Sequence, residues 1–540
     1  MRGSELRPRK ANLIFKNANV ITMDPRCPRA HGVMIGGDRV LALVLDDRVD
    51  DQVDPDTTLI DCGGRTIVPG FNDAHCHLLG FMDSLIAVDC RPEIVSTIAA
   101  LQSAIRQRAT STPTGNWIRA TDYDEFRLKE RRHPTRWDLD AATTNHPVRL
   151  QHRSRHVCVL NSPALALARI NRDTADPPGS LIERDETGEP TGVLYEMNAY
   201  LSRHVVPHLT TTELDEGFRA VTRAYLQVGV TSVQDATVRN GPGEWGLLRH
   251  WMDTGALGLR VDMMIGTDHL PLAVERGLRP GHTEGNLRVS AVKMLVNETT
   301  GYLWPAQDDL NEMVLQAHGA GFQVAIHATT EQALASAITA IENALAVSPK
   351  EDHRHRIEHC AVCPPELLRR LQQMRVAVVT QPSFLYYSGD RYQTQHTLRD
   401  LEWFYRLASF LHSGLLVGGS SDCPIVPNNP FVGIYAAMAR RARADDTLLW
   451  PKERISAADA LWLFTMGGAY ASFAEQEKGS LTPGKLADLA VLDADPTELT
   501  LEAIPKISVL MTVLGGKVVW THELAASKLD IISQIGYDRQ

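Results

Sequence analysis

The sequence of 540 residues predicts an α/β fold in which eight parallel strands alternate with helices and close into a (β/α)8 TIM barrel. Short apolar runs of strand length recur along the chain and end in polar residues. Segments with helical spacing separate most of these runs, and several runs end in a histidine, a lysine or an aspartate. Because catalytic groups of this fold lie at the carboxyl ends of its strands, these ends predict one shared site.

The predicted barrel strands occupy residues 66–77, 230–235, 260–266, 288–296, 322–327, 356–359, 376–381 and 415–422. Residues 310–320 and 331–346 are typical of the intervening helices, and the alternation favours parallel pairing. A barrel needs only ~250 residues, so the chain has room for more. We assign residues 67–478 to the barrel, with an insertion after strand one over roughly residues 80–215.

The insertion begins with a helix-like segment at residues 94–109 and contains a polar, proline-bearing run at residues 173–190. A segment of this length at the catalytic rim of a barrel is well placed to cover a substrate. The chain ends are different, because residues 12–53 and 486–520 alternate apolar and polar positions between turn signals. Both ends are therefore predicted to be rich in β-structure.

His75 and His77 stand one residue apart at the end of the first predicted strand. Side chains two apart share one face of a strand, so both imidazoles could reach one ion at ~2 Å, although two solvated histidines would look the same. Four other strands end in further candidates, which are Lys293, His327, His359 and Asp422. Each has an ordinary alternative, such as a helix cap for Asp422, but five strand ends together favour a metal site.

Composition narrows the classes of partner. The formal charge of −10 disfavours nucleic acid, and a small-molecule substrate fits better. No apolar run approaches the ~20 residues of a membrane span, and residues 1–12 are basic without the apolar core of a signal peptide. We therefore expect a soluble, cytoplasmic protein with no membrane partner, whose eight scattered cysteines are reduced thiols.

Several segments resemble the amidohydrolase superfamily, and the match extends over nearly the whole chain. They are residues 69–77 (PGFNDAHCH), 356–359 (RIEH), 421–424 (SDCP) and 479–493 (GSLTPGKLADLAVLD). Residues 133–140, 146–148, 161–165, 177–185 and 192–196 resemble the insertion of one branch, amidohydrolase 3, which includes the YtcJ-like proteins and the N-substituted formamide deformylases. The resemblance implies that residues 1–66 and 479–540 form one composite β-sandwich domain beside the barrel. Relatives often form homodimers, so a homodimer is expected by analogy alone.

The types of ligand suggest the cofactor and the reaction. Neutral imidazoles with a carboxylate suit Zn²⁺, although Mn²⁺, Fe²⁺ or Co²⁺ would fit the same set. A metal with an open position lowers the pKa of its bound water to ~7 and polarises a carbonyl group. We expect attack by metal-bound hydroxide, with Asp422 both as a ligand and as the proton shuttle to the leaving nitrogen.

Lys293 decides between one metal and two. An ammonium group cannot ligate a metal, so this lysine must be deprotonated, displaced or modified if it serves as a ligand. Carbamylation by CO₂ would turn it into a bridging carboxylate, and many binuclear members of the superfamily carry a carboxylated lysine on the fourth strand, where Lys293 falls. The alternative is an unmodified lysine beside a single metal, and two metals are the favoured prediction.

The flanks of two predicted ligands depart from the superfamily pattern. The fifth-strand histidine is usually followed by Gly-Asp, whereas Ala328 and Thr329 follow His327. The lysine strand usually continues with Asp-Gly, and here it continues with Asn297 and Glu298. Such changes alter the partners of the ligands, which can cost ~10–100-fold in metal affinity or activity.

Predicted substrate contacts point in two directions. Aromatic residues in the loops after strands four and seven predict a pocket for an apolar group, or else they pack the insertion onto the barrel; those selected are Tyr302, Trp304 and Phe384. His156, with Arg153 and Arg155, follows a strand-like run in the insertion. These three side chains either bind a substrate carboxylate or are solvated.

Three functions remain open from the sequence. The first is metal-dependent hydrolysis of a non-peptide C–N bond in an N-substituted amide or formamide. The second is deamination of a heterocycle by a mononuclear enzyme, for which Glu331 stands near the expected glutamate at a poorly matching spacing, and against which Lys293 argues. The third is a non-catalytic binding protein on the same scaffold, which the retention of every expected ligand type disfavours.

Overall fold

The computed structural model describes residues 10–46, 56–207, 209–296, 298, 302–525 and 529–532. Eight parallel strands form the central sheet and confirm the predicted barrel. They are Phe71–Cys76, Val230–Asp235, Arg260–Gly266, Leu287–Leu295, Val324–Ala328, Arg356–His359, Ala377–Thr380 and Val417–Gly419. Each pairs with the next along the chain, and the segment after the eighth reaches the first, because the Asp422 amide donates to the His75 carbonyl at 2.8 Å.

Helices pack around the outside of the barrel. They are Leu78–Ile86, Thr211–Leu226, Pro242–Asp253, Leu270–Glu275, Gln307–Gly319, Glu331–Val347, Pro365–Met374, Ser383–Gln395, Leu398–Glu402, Leu407–His412, Pro430–Ala439, Ala457–Trp462 and Gly468–Ala471. Their buried apolar faces and the apolar strand residues form one large core. The helices predicted at 310–320 and 331–346 are confirmed, with bounds that differ by up to three residues.

The segment predicted as the first barrel strand is divided at Gly70. Thr66–Pro69 pairs antiparallel with Leu489–Leu492 in another sheet, and only Phe71–Cys76 belongs to the barrel. A Cβ at position 70 would lie 2.3 Å from the Thr231 hydroxyl oxygen, so only glycine permits this approach. The apolar pattern runs through both strands because each is buried, which is why it does not reveal the change of sheet.

Both chain ends contribute to two sheets that face each other across an apolar core. One sheet contains Asp530–Ile532, Thr58–Asp61, Leu13–Lys16, Gly32–Gly36 and Arg39–Val44. The other contains Lys517–Thr521, Val509–Leu514, Leu489–Leu492, Thr66–Pro69, Asn19–Ile21 and Arg29–Ala30. Phe15 and Ile35 of the first sheet pack with Val491 and Met511 of the second, which confirms the sandwich. Residues 47–53 of the predicted N-terminal β-segment lie outside the described residues.

The insertion after strand one contains its own sheet. Its strands, in spatial order, are Leu181–Arg184, Pro190–Tyr195, Val157–Leu160, Val148–His152, Ile118–Tyr123 and Val88–Asp89. The predicted helix at 94–109 is found at Ile98–Ser111, where the Thr97 hydroxyl caps it by accepting from the Ala100 amide at 3.0 Å. Three shorter helices complete the insertion, namely Arg136–Asp140, Ser162–Ala168 and Asn198–His204. In the described part of the chain, no helix has the length and apolarity needed to cross a membrane.

A chain of buried histidines lies at the amino ends of barrel strands five and six, opposite the predicted site. His355 Nδ1 accepts from the Val324 amide at 3.1 Å, so its proton lies on Nε2, which donates to His318 Nδ1 at 2.9 Å. His353 Nε2 donates to the Met374 carbonyl at 2.7 Å. Burial, assisted by the neighbouring imidazoles, lowers the pKa of His355 well below its usual value and also lowers that of His353.

These histidines predict a loss of stability in acid. Well above pH 6.5, the ordinary pKa of histidine, both are neutral whether the chain is folded or unfolded, and their contribution is constant. Below that pH these histidines bind protons in the unfolded chain but not in the folded chain. The free energy of unfolding therefore falls by at most about 1.4 kcal/mol per histidine per pH unit. We expect His355→Gln to show a shallower loss than the wild type between pH 7 and 5 in denaturant titrations. Equal slopes for the two proteins would contradict the assignment.

Candidate active site

The six predicted ligands meet at the carboxyl ends of the barrel strands and line one cavity; they are His75, His77, Lys293, His327, His359 and Asp422. His77 Nε2 lies 3.0 Å from Asp422 Oδ1, and His75 Nε2 lies 3.4 Å from the same oxygen. One ligand atom each of His75, His359 and Asp422 lies within 4.8 Å of the others. The centre of the His327 ring is 4.4 Å from that of His359.

Two of these residues adopt a left-handed backbone conformation. The φ angles are 70° at His359 and 59° at Asp422. Such values are uncommon for residues other than glycine and cost of order 1–3 kcal/mol when the surroundings impose them. Both side chains line the cavity at the mouth of the barrel, so the unusual backbone conformation occurs where the ligands converge.

Hydrogen bonds fix the tautomers of three histidines. His359 Nδ1 donates to Gln381 Oε1 at 2.7 Å, and His75 Nδ1 donates to Glu358 Oε2. His77 Nδ1 lies 3.2 Å from the hydroxyl oxygen of Thr237, whose own proton goes to Asp235 at 2.6 Å. Each ring therefore carries its proton on Nδ1 and presents the lone pair of Nε2 to the cavity.

The cluster has the properties of a cation site. Asp422 Oδ1 is buried and has no hydrogen-bond donor among the described residues, because the two Nε2 atoms beside it carry no proton. Burial lowers the pKa of His75 well below its usual value, so it stays neutral. Three acceptors that converge without a proton between them fit a metal ion.

Lys293 is buried inside the barrel at the same cavity. Burial lowers the pKa of its ammonium group to about 8, while Glu358 and Asp422 act in the opposite direction. A substantial fraction of the amine is therefore neutral near pH 8. The neutral amine is the form that can add CO₂ and become a carboxylate.

The partners that orient the ligands were not predicted from the sequence. Glu358 also binds Arg356, a wholly buried residue that donates to the Ala74 carbonyl at 2.8 Å. Asp73 accepts from the Ser421 amide at 2.9 Å and so joins strand one to the turn that holds Asp422. Burial raises the pKa of Asp73 to about 7. Glu358 lies in the RIEH segment and Asp73 lies in the PGFNDAHCH segment. Their positions in segments that resemble the superfamily are the sequence signal from which they could have been predicted.

The cavity measures about 1070 Å³ and lies between the barrel mouth and the insertion. Phe384 lines it, with its ring roughly parallel to that of His359 at 6.3 Å between centres. His156 also lines it and bonds Glu196 through Nδ1 at 2.7 Å. Tyr302 and Trp304 are 55% and 48% exposed and are not among the residues that line this cavity. Of the four predicted substrate contacts, the cavity thus brings together Phe384 and His156.

The departures from the superfamily pattern lie at this cavity as well. Thr329 and Thr330 line it, and the Thr330 hydroxyl caps the following helix by accepting from the Ala333 amide at 3.1 Å. Glu331 forms an ion pair with Arg399 at 3.2 Å and is not among the lining residues. After the lysine strand, Glu298 lines the cavity, whereas residues 297 and 299–301 lie outside the described part of the chain.

A second acidic cluster in the insertion, formed by Asp124, Glu125 and His152, is already neutralised by arginines. Arg153 binds Asp124 at 2.9 Å, and Arg391 binds Glu125 at 2.7 Å. This network ties the insertion to the helix Ser383–Gln395, and within it Glu125 Oε2 lies 2.7 Å from His152 Nε2.

The barrel and its candidate ligand cluster fit a metal-dependent hydrolase, and comparison with known proteins supports a hydrolase that acts on carbon–nitrogen bonds. A family model described as "Amidohydrolase family" matches residues 58–520. N-substituted formamide deformylase of Arthrobacter pascens is 29% identical over 539 residues, covering 94% of this chain and 97% of its own length. The putative amidohydrolase YtcJ of Bacillus subtilis is 26% identical and covers 86% of this chain and 91% of its own length.

A solved structure gives the same result. The crystal structure of an uncharacterized metal-dependent hydrolase from Pyrococcus furiosus has a TM-score of 0.70 at 26% sequence identity, covering 90% of this chain and 100% of that one. The chain belongs to the amidohydrolase family, and the resemblance noted in its sequence is confirmed.

Proposed function

We propose that the protein hydrolyses the C–N bond of N-substituted amides, with formamides as the first substrates to test. The observation that carries this proposal is the unpartnered Asp422 Oδ1 beside the lone pairs of His75 and His77. The similarity to a protein named N-substituted formamide deformylase supports the choice of formamides. A homodimer remains a proposal by analogy with relatives, and a cytoplasmic location remains an expectation from the sequence.

The residues that would hold metal are those gathered at the strand ends. His75, His77 and Asp422 supply one cluster of acceptors, and His327 and His359 supply the neighbouring one. A carbamylated Lys293 would add the carboxylate that two ions share, and we favour about two Zn²⁺ ions. When bound, the metal supplies Lewis acidity toward the carbonyl oxygen and makes a bound water acidic near neutral pH.

Asp422 moves the proton. Its carboxylate accepts a proton from the attacking water as the new C–O bond forms at the carbonyl carbon. It then delivers this proton to the amide nitrogen while the C–N bond breaks, and the products are an amine and a carboxylate.

His156 stands at the insertion side of the same cavity. Burial lowers its pKa, but the hydrogen bond to Glu196 raises it more, so the net effect is a raised pKa. With Nδ1 committed to Glu196, its Nε2–H is the group left to bind substrate oxygen. This role places one donor on the insertion, opposite the histidines of the barrel.

A substrate panel tests the proposal against the alternative reaction. We expect the metal-loaded enzyme to release formate and amine from N-benzylformamide, and to release no ammonia from cytosine or adenine analogues. Glu331 would be needed near the ligands for the deaminase alternative, but it is ion-paired with Arg399 away from the cavity lining. Ammonia release without cleavage of any N-substituted amide would reverse the assignment.

A further inference from the structure

The insertion wall of the cavity contains a buried arginine without a carboxylate partner. Arg149 lies on the strand Val148–His152, lines the cavity and is only 8% exposed. Its terminal nitrogens donate to the neutral acceptors Ser202 Oγ at 3.2 Å and Asn198 Oδ1 at 3.1 Å. Its Nε is buried and has no hydrogen-bond partner among the described residues. Burying a cation without a counter-ion costs free energy, and an anion bound to the unused donor would offset that cost.

Two further arginines surround this position. Arg155 and Arg239 line the same cavity, and both act on Arg149 as like charges. Arg155 is paired with Asp122 at 2.7 Å, but its Nε also has no partner in the described structure. Arg239 is exposed and forms no ion pair with any described carboxylate. The guanidinium groups therefore outnumber the carboxylates that bind them.

Asp83 is the carboxylate that faces these arginines. It lines the cavity, and no described cation lies within ion-pair distance of it. Burial raises the pKa of Asp83, while Arg149, then Arg119, Arg155 and Arg239 lower it less. Asp83 thus offsets part of the positive charge of the arginines, but it does not accept a hydrogen bond from the Nε–H of Arg149.

The rest of the insertion wall differs in this respect. Arg153, one of the side chains considered for a substrate carboxylate, is bound by Asp124 at 2.9 Å, and Arg391 is bound by Glu125 at 2.7 Å. The Arg153 pair lies within the insertion, and the Arg391 pair joins the insertion to the helix Ser383–Gln395. Among these arginines of the described structure, Arg149 is the most buried, and it combines an unused donor with the lack of a carboxylate partner.

We propose that Arg149, with Arg155 and Arg239 beside it, binds a carboxylate of the substrate, so that the preferred substrates are N-formyl or N-acyl amino acids. This proposal rests on the proposed amide hydrolysis and names its substrate class. Guanidinium groups suit carboxylates because their N–H donors match both oxygens, and such charge-assisted bonds are the stronger kind. Within the cavity, the carboxylate would lie against the insertion while the scissile amide lies at the strand ends.

The test uses two substrates that differ by one carboxylate, N-formylphenylglycine and N-benzylformamide. For the wild type we expect kcat/KM to be at least about tenfold higher for the carboxylated substrate. In Arg149→Met the value for N-formylphenylglycine should fall by roughly 10–100-fold, while that for N-benzylformamide changes by less than about threefold. A variant that lowers both values by the same factor, or a wild type that prefers the neutral substrate, would overturn the proposal.

Two further variants distinguish a loss of substrate binding from a loss of folding. Arg119 lies in register with Arg149 on the adjacent strand, donates to the Pro207 carbonyl at 2.6 Å and does not line the cavity. Arg119→Met should therefore leave the preference between the two substrates unchanged. Arg239→Gln alters an exposed side chain, and we expect it to lower only the value for the carboxylated substrate, by about fivefold. If Arg149→Met does not fold, Arg239→Gln decides, and an equal effect on both substrates refutes the proposal.

Direct binding separates this proposal from the reaction itself. Calorimetry of phenylacetate with the metal-loaded wild type and with Arg149→Met should show at least tenfold weaker binding to the variant. If this difference is found but neither amide is cleaved, the anion site stands and the proposed hydrolysis fails. If the amides are cleaved and phenylacetate binds both proteins equally, the hydrolysis stands and the anion site is refuted.

Discussion

Asp422→Asn is expected to lower kcat/KM for a cleaved formamide by about 10²–10⁴-fold, the usual contribution of a general acid–base group. The amide of asparagine cannot accept the proton of water, and it also weakens the ligand set at Oδ1. The surrounding bonds, including the Asp422 amide to the His75 carbonyl, are made by the backbone and remain available. The loss should therefore occur without unfolding of the barrel, as measured by circular dichroism.

Asp390→Asn provides a matched control. Asp390 lies on the helix Ser383–Gln395, binds Arg127 through both carboxylate oxygens and does not line the cavity. Its replacement removes a carboxylate close to the insertion and should change kcat/KM by less than about threefold. If Asp422→Asn keeps more than about a tenth of the wild-type activity, Asp422 is not the proton shuttle.

Lys293→Met is expected to lower both the metal content and the activity. Methionine fills much of the same buried volume but cannot be carbamylated, so a shared carboxylate would be lost. We expect metal content to fall from about two equivalents to about one and kcat/KM to fall at least 100-fold. A short carboxylic acid should restore part of the activity in Lys293→Ala, where the shortened side chain leaves space for it.

The rescue experiment distinguishes a carbamylated Lys293, which acts as a carboxylate, from an unmodified Lys293, which acts as a cation. If Lys293 acts unmodified as a cation beside one metal, the added acid does not help and the metal content of both variants equals that of the wild type. That outcome would favour a mononuclear enzyme. It would also show that the neutral fraction of Lys293, with its pKa lowered to about 8 by burial, is not used for carbamylation.

The barrel was predictable because its strands are short apolar runs that end in polar ligands, and the strand ends alone brought the six candidate ligands to one rim. The change of sheet at Gly70 was not predictable from the sequence. The strands before and after Gly70 belong to different sheets, but both are buried and have the same apolar pattern. The insertion sheet was also beyond the sequence pattern. It mixes parallel and antiparallel pairs, and its strand order depends on tertiary contacts.

The groups that orient the ligands illustrate the same limit. His75 and Glu358 are 283 positions apart, and no local spacing predicts their hydrogen bond. Arg149 was missed because an arginine in a strand-like run is ordinarily a solvated side chain, and only the fold shows that it is buried beside neutral partners. The positions of Tyr302 and Trp304 depend on the course of a loop, which side-chain type does not determine.

The central claim is that the strand ends hold catalytic metal, and metal content per chain tests it most directly. Protein purified without chelator should contain about two equivalents of a divalent metal, with zinc expected, and its intact mass under gentle conditions should show a CO₂ adduct that Lys293→Met lacks. Essentially no tightly bound metal, with none taken up when zinc is added, would contradict the account.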